Sequence, residues 1–480
     1  MSDETSRDTL DSLLALHASS AESPGEAAWL DDLRSEGLAA FREQGVPTRR
    51  LEAWKGTNLG PLQAMRFGRV GPGASTSAPL SFPDAVEGRP ELVFVDGAYD
   101  AARSRVAGLP SGCRLLPLAE AMREIPDRLR GRLGQLTDPK HQALDALQTA
   151  FLADGAVLLI ERGTVLADPI RLRFLATGAE PRDDEESASA AAAFPRLLVV
   201  ADEQSRATIH LSFESVGTAP GLTACVSELH LGPAARIDLV EVQAEDPERI
   251  HYSSVHARLE RDARLDSHVF TLGRGLTRSE IEVTLVEPGA ETRLRGFFLG
   301  RESGHVDHYT TVDHAADHCT SDEEYRGVLD GRSEGVFRGR VIVRPDAQKT
   351  DARQSNPNLL VSRNASVDSK PQLEIYADDV RASHGSTTGQ LDADALFFLR
   401  SRGVGLAEAR LLLTRAFARS IVFSIENESI RERIAEQVDE SLASLEGDAP
   451  DIPSDRLSRQ KAREKARRKG SERTQRGDAR

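Results

Sequence analysis

The sequence predicts a mainly β fold with helical flanks, in which a long run of short strands forms a parallel β-helix core. Within residues 156–392 apolar positions alternate with polar ones, as Ile281, Val283 and Leu285 do, which is the period of a strand. Strands follow one another across short turns without helical segments between them, so a βαβ sheet is excluded. Residues 348–390 are long and polar, and such a stretch stays ordered only if its backbone is paired.

An internal repeat favours the β-helix over a sandwich or a barrel. The segments LGPAARIDLVEV, LERDARLDSHVF and LVEPGAETRLRGF each contain a strand, a turn of small residues and a second strand. Their alanines, Ala234, Ala263 and Ala290, are 29 and 27 residues apart. An uneven repeat of this size is typical of a solenoid, in which each coil stacks on the one before it. A sandwich with recurring hairpins remains the alternative.

The flanks of the core differ in pattern from it. Residues 1–66 carry leucines at helical spacing and are expected to be helical, and 67–155 combine a linker rich in Gly, Pro and Ser with a mixed α/β region. Residues 393–447 have strong helical periodicity and more apolar surface than a short block can bury on itself. Residues 448–480 are basic and are predicted to be a disordered tail.

Composition narrows the class of protein. The net charge of the 480 residues is −15, and residues 455–480 hold 11 basic and 4 acidic side chains, so the rest of the chain carries −22. An acidic body argues against nucleic acid as a partner. No apolar run approaches the roughly 18 residues of a membrane span, and no secretory signal is recognised. Three widely spaced cysteines give neither a disulfide framework nor a CxxC site, which favours the cytoplasm.

A cluster of histidines is the first candidate for chemistry. The segment HVDHYTTVDHAADHC contains His305, His308, His314 and His318, and imidazoles at this density suggest a zinc or iron site. On a strand, however, His305 and His308 point to opposite faces, whereas His308 and His314 share one face. A ladder of polar residues on stacked coils is the alternative interpretation, and both remain open.

His384 is the second candidate, at the end of the long polar stretch. It lies between Ser383 and Gly385 and has no metal-ligand spacing to another histidine or cysteine. From these residues alone it is interpreted as a turn histidine bonded to the backbone. A β-helix enzyme acting on carbohydrates is also considered, but carboxylates are too frequent here to single out a catalytic pair. No Walker A sequence is present, and no nucleophile elbow is recognised.

Four segments carry a resemblance to a known family. PTRRLEAWKGTNL, AQKTDARQSNPNLL, KPQLEIYADDV and SHGSTTGQLD occur in this order and resemble the SufD family of the SUF iron–sulfur cluster assembly complex, a paralogue of SufB. The similarity covers roughly residues 45–430. It implies a right-handed parallel β-helix with helical flanks and a non-enzymatic scaffold that pairs with a SufB-like subunit through the β-helix. It also implies that the C-terminal helices dock a SufC-like ATPase, for which the candidate residues are Phe397, Phe398, Leu411, Leu412 and Phe417.

The resemblance also assigns a role to His384. This residue corresponds to the histidine of the family's SHGAT sequence, which would face a cysteine of the SufB-like partner and help to hold iron or a nascent Fe–S cluster. No stable cofactor is then expected on the isolated chain, and a homodimer is possible in isolation. Ala382 stands where the family often has cysteine, and Ser386 replaces a common alanine. A SufB-like scaffold is the alternative, disfavoured because the equivalent SufB sequence reads Glu-His-Glu.

Overall fold

The structure is a computed structural model, and it describes Thr9, 12–14, Leu16, 28–67, 89–177 and 190–445. The basic tail predicted at 448–480 and most of the predicted linker lie outside the described residues.

The described strands form two sheets that face each other. They are β1 (Glu91–Val95), β2 (Ala98–Tyr99), β3 (Cys113–Pro117), β4 (Gly155–Ile160), β5 (Ile170–Thr177), β6 (Ala191–Ala193), β7 (Arg196–Ala201), β8 (Arg206–Val216), β9 (Gly221–Leu231), β10 (Arg236–Ala244), β11 (Arg249–Leu259), β12 (Arg264–Thr271), β13 (Leu276–Leu285), β14 (Glu291–Gly300), β15 (His305–His314), β16 (Thr320–Leu329), β17 (Glu334–Val343), β18 (Asp351–Leu360), β19 (Ser366–Ile375) and β20 (Arg381–Gly389).

From β7 onward, successive strands alternate between the sheets. The first sheet has the order β2-β1-β5-β8-β10-β12-β14-β16-β18-β20, and the second has the order β19-β17-β15-β13-β11-β9-β7-β4-β3, with β6 beside β9. All pairs are parallel except β1 with β2 and β3 with β4. The result is a parallel β-solenoid of about 7 turns with helical regions at both ends. The predicted fold class is therefore confirmed, and a sandwich of hairpins, which needs antiparallel neighbours, is excluded.

The turns between the strands show why small residues repeat in the sequence, and they shift the alignment of the first repeat by one residue. Strands β10, β12 and β14 pair in register from their first residues. The residues immediately before them are Ala235, Ala263 and Ala290, all completely buried. The alignment on Ala234 is thus wrong by one residue, because Ala234 occupies the preceding turn position at a φ of 55°, as Asp262 does at 56° in the next coil. Only a small side chain fits between coils, whereas the turn position faces solvent and varies.

The N-terminal helices cover the outer face of the second sheet. The described ones are α1 (Ala28–Gln44), a 3-10 turn (Glu52–Trp54), α2 (Gly60–Gln63), α3 (Leu118–Glu124), α4 (Pro126–Leu129) and α5 (Ala143–Ala150). On α5 the buried Asp145 carboxylate accepts hydrogen bonds from Tyr252 at 2.8 Å and Ser254 at 2.7 Å, and lies 2.7 Å from His256 Nε2. One carboxylate therefore fixes this helix to strand β11.

The C-terminal helices cover the outer face of the first sheet. They are α6 (Ala393–Ser401), α7 (Leu406–Val422) and α8 (Glu428–Ala443). Ile421 and Val422 of α7 and Ile434 of α8 belong to one buried cluster with Phe270 and Phe297 of the sheet. Helix α6 is different: Asp392 caps its first turn, and none of its residues is buried. Part of the apolar excess noticed in the sequence is thus covered by the chain's own solenoid.

None of the described helices combines the length and the apolar character that crossing a membrane would require.

Candidate functional site at the open end of the solenoid

The solenoid ends on two strands that each lack a neighbour on one side. Within the described part of the chain, β20 pairs only with β18 in the first sheet, and β19 only with β17 in the second. Unpaired backbone N–H and C=O groups along such an edge can receive a strand from another chain. The last coil therefore presents both a backbone edge and the side chains that would otherwise point into the solenoid.

His384 lies in this last coil, on the face that continues the interior. In the register of the first sheet Glu323 pairs with Gln354, and Gln354 with His384. Because side chains on one face of adjacent parallel strands stack in register, these three residues form a column that we call the inner column. Glu323 and Gln354 are buried, whereas His384 is exposed because no further coil covers it. His384 thus lies within strand β20. The interpretation of His384 as a turn residue, made from its neighbours in the sequence, is therefore wrong.

The inner column is polar in the last three coils, whereas Leu294 holds the same position in the coil before them. Thr310, across the interior on β15, donates a hydrogen bond to Oε2 of Glu323 at 2.6 Å. Burial raises the pKa of Glu323 to about 7, against the hydrogen bond from Thr310 and the neighbouring Gln354 amide, which lower it. A buried carboxyl group with a raised pKa therefore lies two coils behind His384.

A second polar group joins the two sheets beside this column. The Asn356 side chain accepts hydrogen bonds from Ser369 at 2.6 Å and from Asn358 at 2.7 Å, and donates to the Tyr325 carbonyl oxygen at 2.8 Å. Ser369 belongs to the last strand of the second sheet, so these bonds tie the final strand to the coil behind it. Both polar groups are visible in the sequence ARQSNPN. Every second residue in it points inward, and most of these inward residues are polar.

The structure does not bring the four clustered histidines together. His305 lies on the outer face, 3.0 Å from Thr57, and His318 occupies an exposed turn at a φ of 59°. His308 and His314 share the inner face, but six residues on one strand separate them by roughly 20 Å. Among the described residues no group of three or more His, Cys, Asp or Glu side chains is placed to hold a metal ion.

The two inner-facing histidines have ordinary hydrogen-bonding roles. His308 lies 3.2 Å from the Thr271 hydroxyl, and His314 lies 2.8 Å from the Ser321 hydroxyl. Burial lowers the pKa of each imidazole to about 4, so both are neutral at physiological pH. These contacts agree with the interpretation as a polar ladder.

The residues proposed for docking the ATPase fall into two groups. Phe397 and Phe398 on α6 and Leu412 on α7 are exposed, at 74%, 55% and 43%. Leu411 and Phe417 are partly buried against the chain's own first sheet. Phe423, at 65% exposure, was not among the predicted residues, although it follows the same helix. Exposed apolar side chains that form one contiguous patch are typical of a protein interface.

Fold and site together define a class: a parallel β-solenoid with helical flanks, an open strand edge among the described residues and exposed apolar side chains on its C-terminal helices. Comparison with known proteins gives the family. Residues 184–417 match the family described as SUF system FeS cluster assembly, SufBD core domain, and residues 13–172 match the SufBD protein N-terminal region.

Individual relatives agree over most of the chain. An iron-sulfur cluster assembly SufBD family protein of Synechocystis is 31% identical over 82% of this chain and 87% of its own length. The iron-sulfur cluster assembly protein SufD of Escherichia coli is 28% identical over 84% of this chain and 91% of its own length. The chloroplastic protein ABCI7 of Arabidopsis thaliana is 24% identical over 88% of each chain. The chain belongs to the SufBD family of iron–sulfur cluster assembly proteins.

Proposed function

We propose that this chain is the SufD-type scaffold subunit of a cytoplasmic SUF complex, without catalytic activity of its own. Its last coil pairs edge to edge with a SufB-like subunit, and iron or a nascent Fe–S cluster is held between them as cargo. The observation that carries this proposal is the exposure of His384 on the inner face of an unpaired final strand. A partner that continues the solenoid would cover this imidazole and bring its own ligands to it.

The chemistry of His384 suits a transient ligand. A neutral imidazole is a borderline ligand for iron, and unlike a thiolate it adds no negative charge. Ala382, one inner-face position before His384 on β20, supplies no thiolate, so the sulfur ligands must come from the partner. The unpaired edge also fits a second copy of this chain when the SufB-like subunit is missing.

The helical patch supports the other partner. Leu412 belongs to α7, which packs on the first sheet, and Phe423 follows it directly, while Phe397 and Phe398 belong to α6, which contacts α7. A SufC-like ATPase bound to these side chains would therefore be connected to the solenoid through α7. A movement of the ATPase could then be transmitted through the packed helices to the last coil. This would open the proposed interface with the SufB-like subunit.

Removal of the His384 imidazole tests the proposal. We expect His384→Ala, co-expressed with SufB-like and SufC-like subunits, to form the complex but to retain at least about tenfold less iron and sulfide, because loss of a ligand costs at least as much as loss of a residue that orients one. The measurement is the iron and sulfide content of the purified complex.

His318→Ala is the matched control, because His318 is also exposed on the solenoid but lies in a turn. It should leave iron and sulfide unchanged. Normal iron and sulfide in the complex carrying His384→Ala would contradict the role of His384. Failure of the wild-type chain to bind either subunit would contradict the scaffold proposal as a whole.

A further inference from the structure

The residue directly behind His384 is a buried amide with unused hydrogen-bonding capacity. Gln354 is 3% exposed, its N–H₂ group lies near enough to the Glu323 carboxyl to lower the pKa of that carboxyl, and its Oε1 atom has no hydrogen-bond partner among the described residues. A buried amide left in this state costs free energy, so its retention calls for an explanation. It adjoins His384 in the inner column, about 4.8 Å away at the backbone.

The residues of the second sheet that face the inner column leave Gln354 as the hydrogen-bond partner for the ring nitrogen of His384 that points into the solenoid. The facing column on the second sheet runs from Thr310 through Gly339 to Pro371. Gly339 gives the Gln354 amide its room, since a Cβ atom there would collide with that amide. Pro371, in the same coil as His384, offers neither a polar side chain nor a backbone N–H group. Nothing on this wall competes for the inward nitrogen of the imidazole.

The hydrogen bonds along the inner column can all run in one direction, from His384 toward Glu323. Thr310 donates to Oε2 of Glu323, while Oε1 of Glu323 has no hydrogen-bond partner among the described residues. That free oxygen can accept from the N–H₂ group of Gln354. The Gln354 carbonyl oxygen is then left to accept from an N–H group of His384. Each residue in this order donates inward, and the carboxyl group terminates the series.

We propose that Gln354 is a positioning residue for His384: it accepts a hydrogen bond from the inward ring nitrogen and so directs the lone pair of the other nitrogen out of the open end. Glu323 orients the amide in turn. Histidines that bind metals commonly donate their second N–H group to an oxygen that fixes the tautomer and the ring orientation. This inference deepens the function proposed above and rests on His384 as the ligand.

The tautomer of His384 tests the proposal without partner or metal. In the full chain labelled with nitrogen-15 at histidine, the His384 signals are assigned by their loss in His384→Gln. We expect one tautomer in the wild type, protonated on a single nitrogen. In Gln354→Met, which has similar length but no acceptor, we expect both tautomers, with the two nitrogen shifts moving toward each other. Gln354→Glu retains an oxygen acceptor and should keep the proton on the same ring nitrogen as in the wild type.

Gln372→Met is the matched control, because Gln372 is exposed and lies on the outer face of β19 in the same coil. It should leave the His384 shifts unchanged, and equal unfolding midpoints would show that all variants fold. Wild-type His384 shifts in folded Gln354→Met would overturn the proposal.

The iron content of the complex distinguishes the positioning role of Gln354 from the proposed role of His384 as a ligand. In the complex, Gln354→Met should retain about tenfold less iron than the wild type. If His384→Ala leaves iron unchanged while Gln354→Met alters the tautomer, the cluster-binding function fails and the positioning role stands. If His384→Ala loses iron while Gln354→Met changes neither iron nor tautomer, the positioning role fails alone.

Discussion

Arg196→Met is expected to destabilise the protein by about 3–5 kcal/mol, since it removes one partner of a completely buried ion pair. Arg196 and Glu228 are both fully buried, and Nη2 of Arg196 lies 2.6 Å from Oε1 of Glu228. The arginine also donates to Gln148 of α5 at 2.6 Å. Its charge, with two backbone N–H groups, holds the pKa of Glu228 below its usual value although burial opposes this. Without Arg196 that carboxylate is buried and uncompensated.

The measurement is urea unfolding followed by circular dichroism. The double variant Arg196→Met with Glu228→Gln should recover part of the loss, because it removes the stranded charge. Arg162→Met is the control, because Arg162 pairs with Glu203 at the surface and exposed pairs contribute little. An Arg196→Met midpoint equal to that of the control would show that this ion pair does not fix α5 to the second sheet.

Phe397→Asp combined with Phe398→Asp is expected to abolish binding of the SufC-like ATPase. Exposed aromatic residues at the centre of an interface often contribute about 2 kcal/mol or more each, so the pair amounts to a loss of several hundredfold or more in affinity. Because no residue of α6 is buried in this chain, the substitutions should leave folding intact. Binding of the purified ATPase subunit, followed by calorimetry, measures the effect.

Leu51→Asp is the matched control for surface charge. Leu51 is 53% exposed, and the adjacent Glu52 contacts Arg338 and Lys370 on the outer face of the second sheet, on the side opposite the C-terminal helices. This variant should bind the ATPase as the wild type does. Wild-type affinity in the double phenylalanine variant would place the docking surface elsewhere.

The repetitive fold made the solenoid the favoured prediction from the sequence, with a sandwich left as the alternative. Alternation along the strands, the absence of helical segments between them and the spacing of small residues all follow from stacking one coil on the next. The register of the coils was harder to predict from the sequence. Ala234 and Ala235 are adjacent and chemically identical, and only the positive φ of Ala234 shows that Ala235 is the buried residue.

The candidate site was only partly accessible from the sequence. His384 was singled out through a resemblance, whereas its own neighbours favoured a turn. Glu323 and Gln354 were missed because they lie 61 and 30 residues before it and meet it only through the coil register. The candidate docking residues were predicted from the resemblance together with the apolar excess of the C-terminal helices. Leu411 and Phe417 are partly buried against the first sheet, whose outer face could not be assigned before the coils were aligned.

The most direct test of the account is amide hydrogen exchange of the full chain with and without the SufB-like subunit. The account predicts slower exchange in residues 381–389 and 366–375, the two unpaired final strands. Exchange in residues 113–117, at the other end of the second sheet, should not change. Unchanged exchange in 381–389, with protection elsewhere on the solenoid, would contradict the claim that the open end is the surface where the two subunits join.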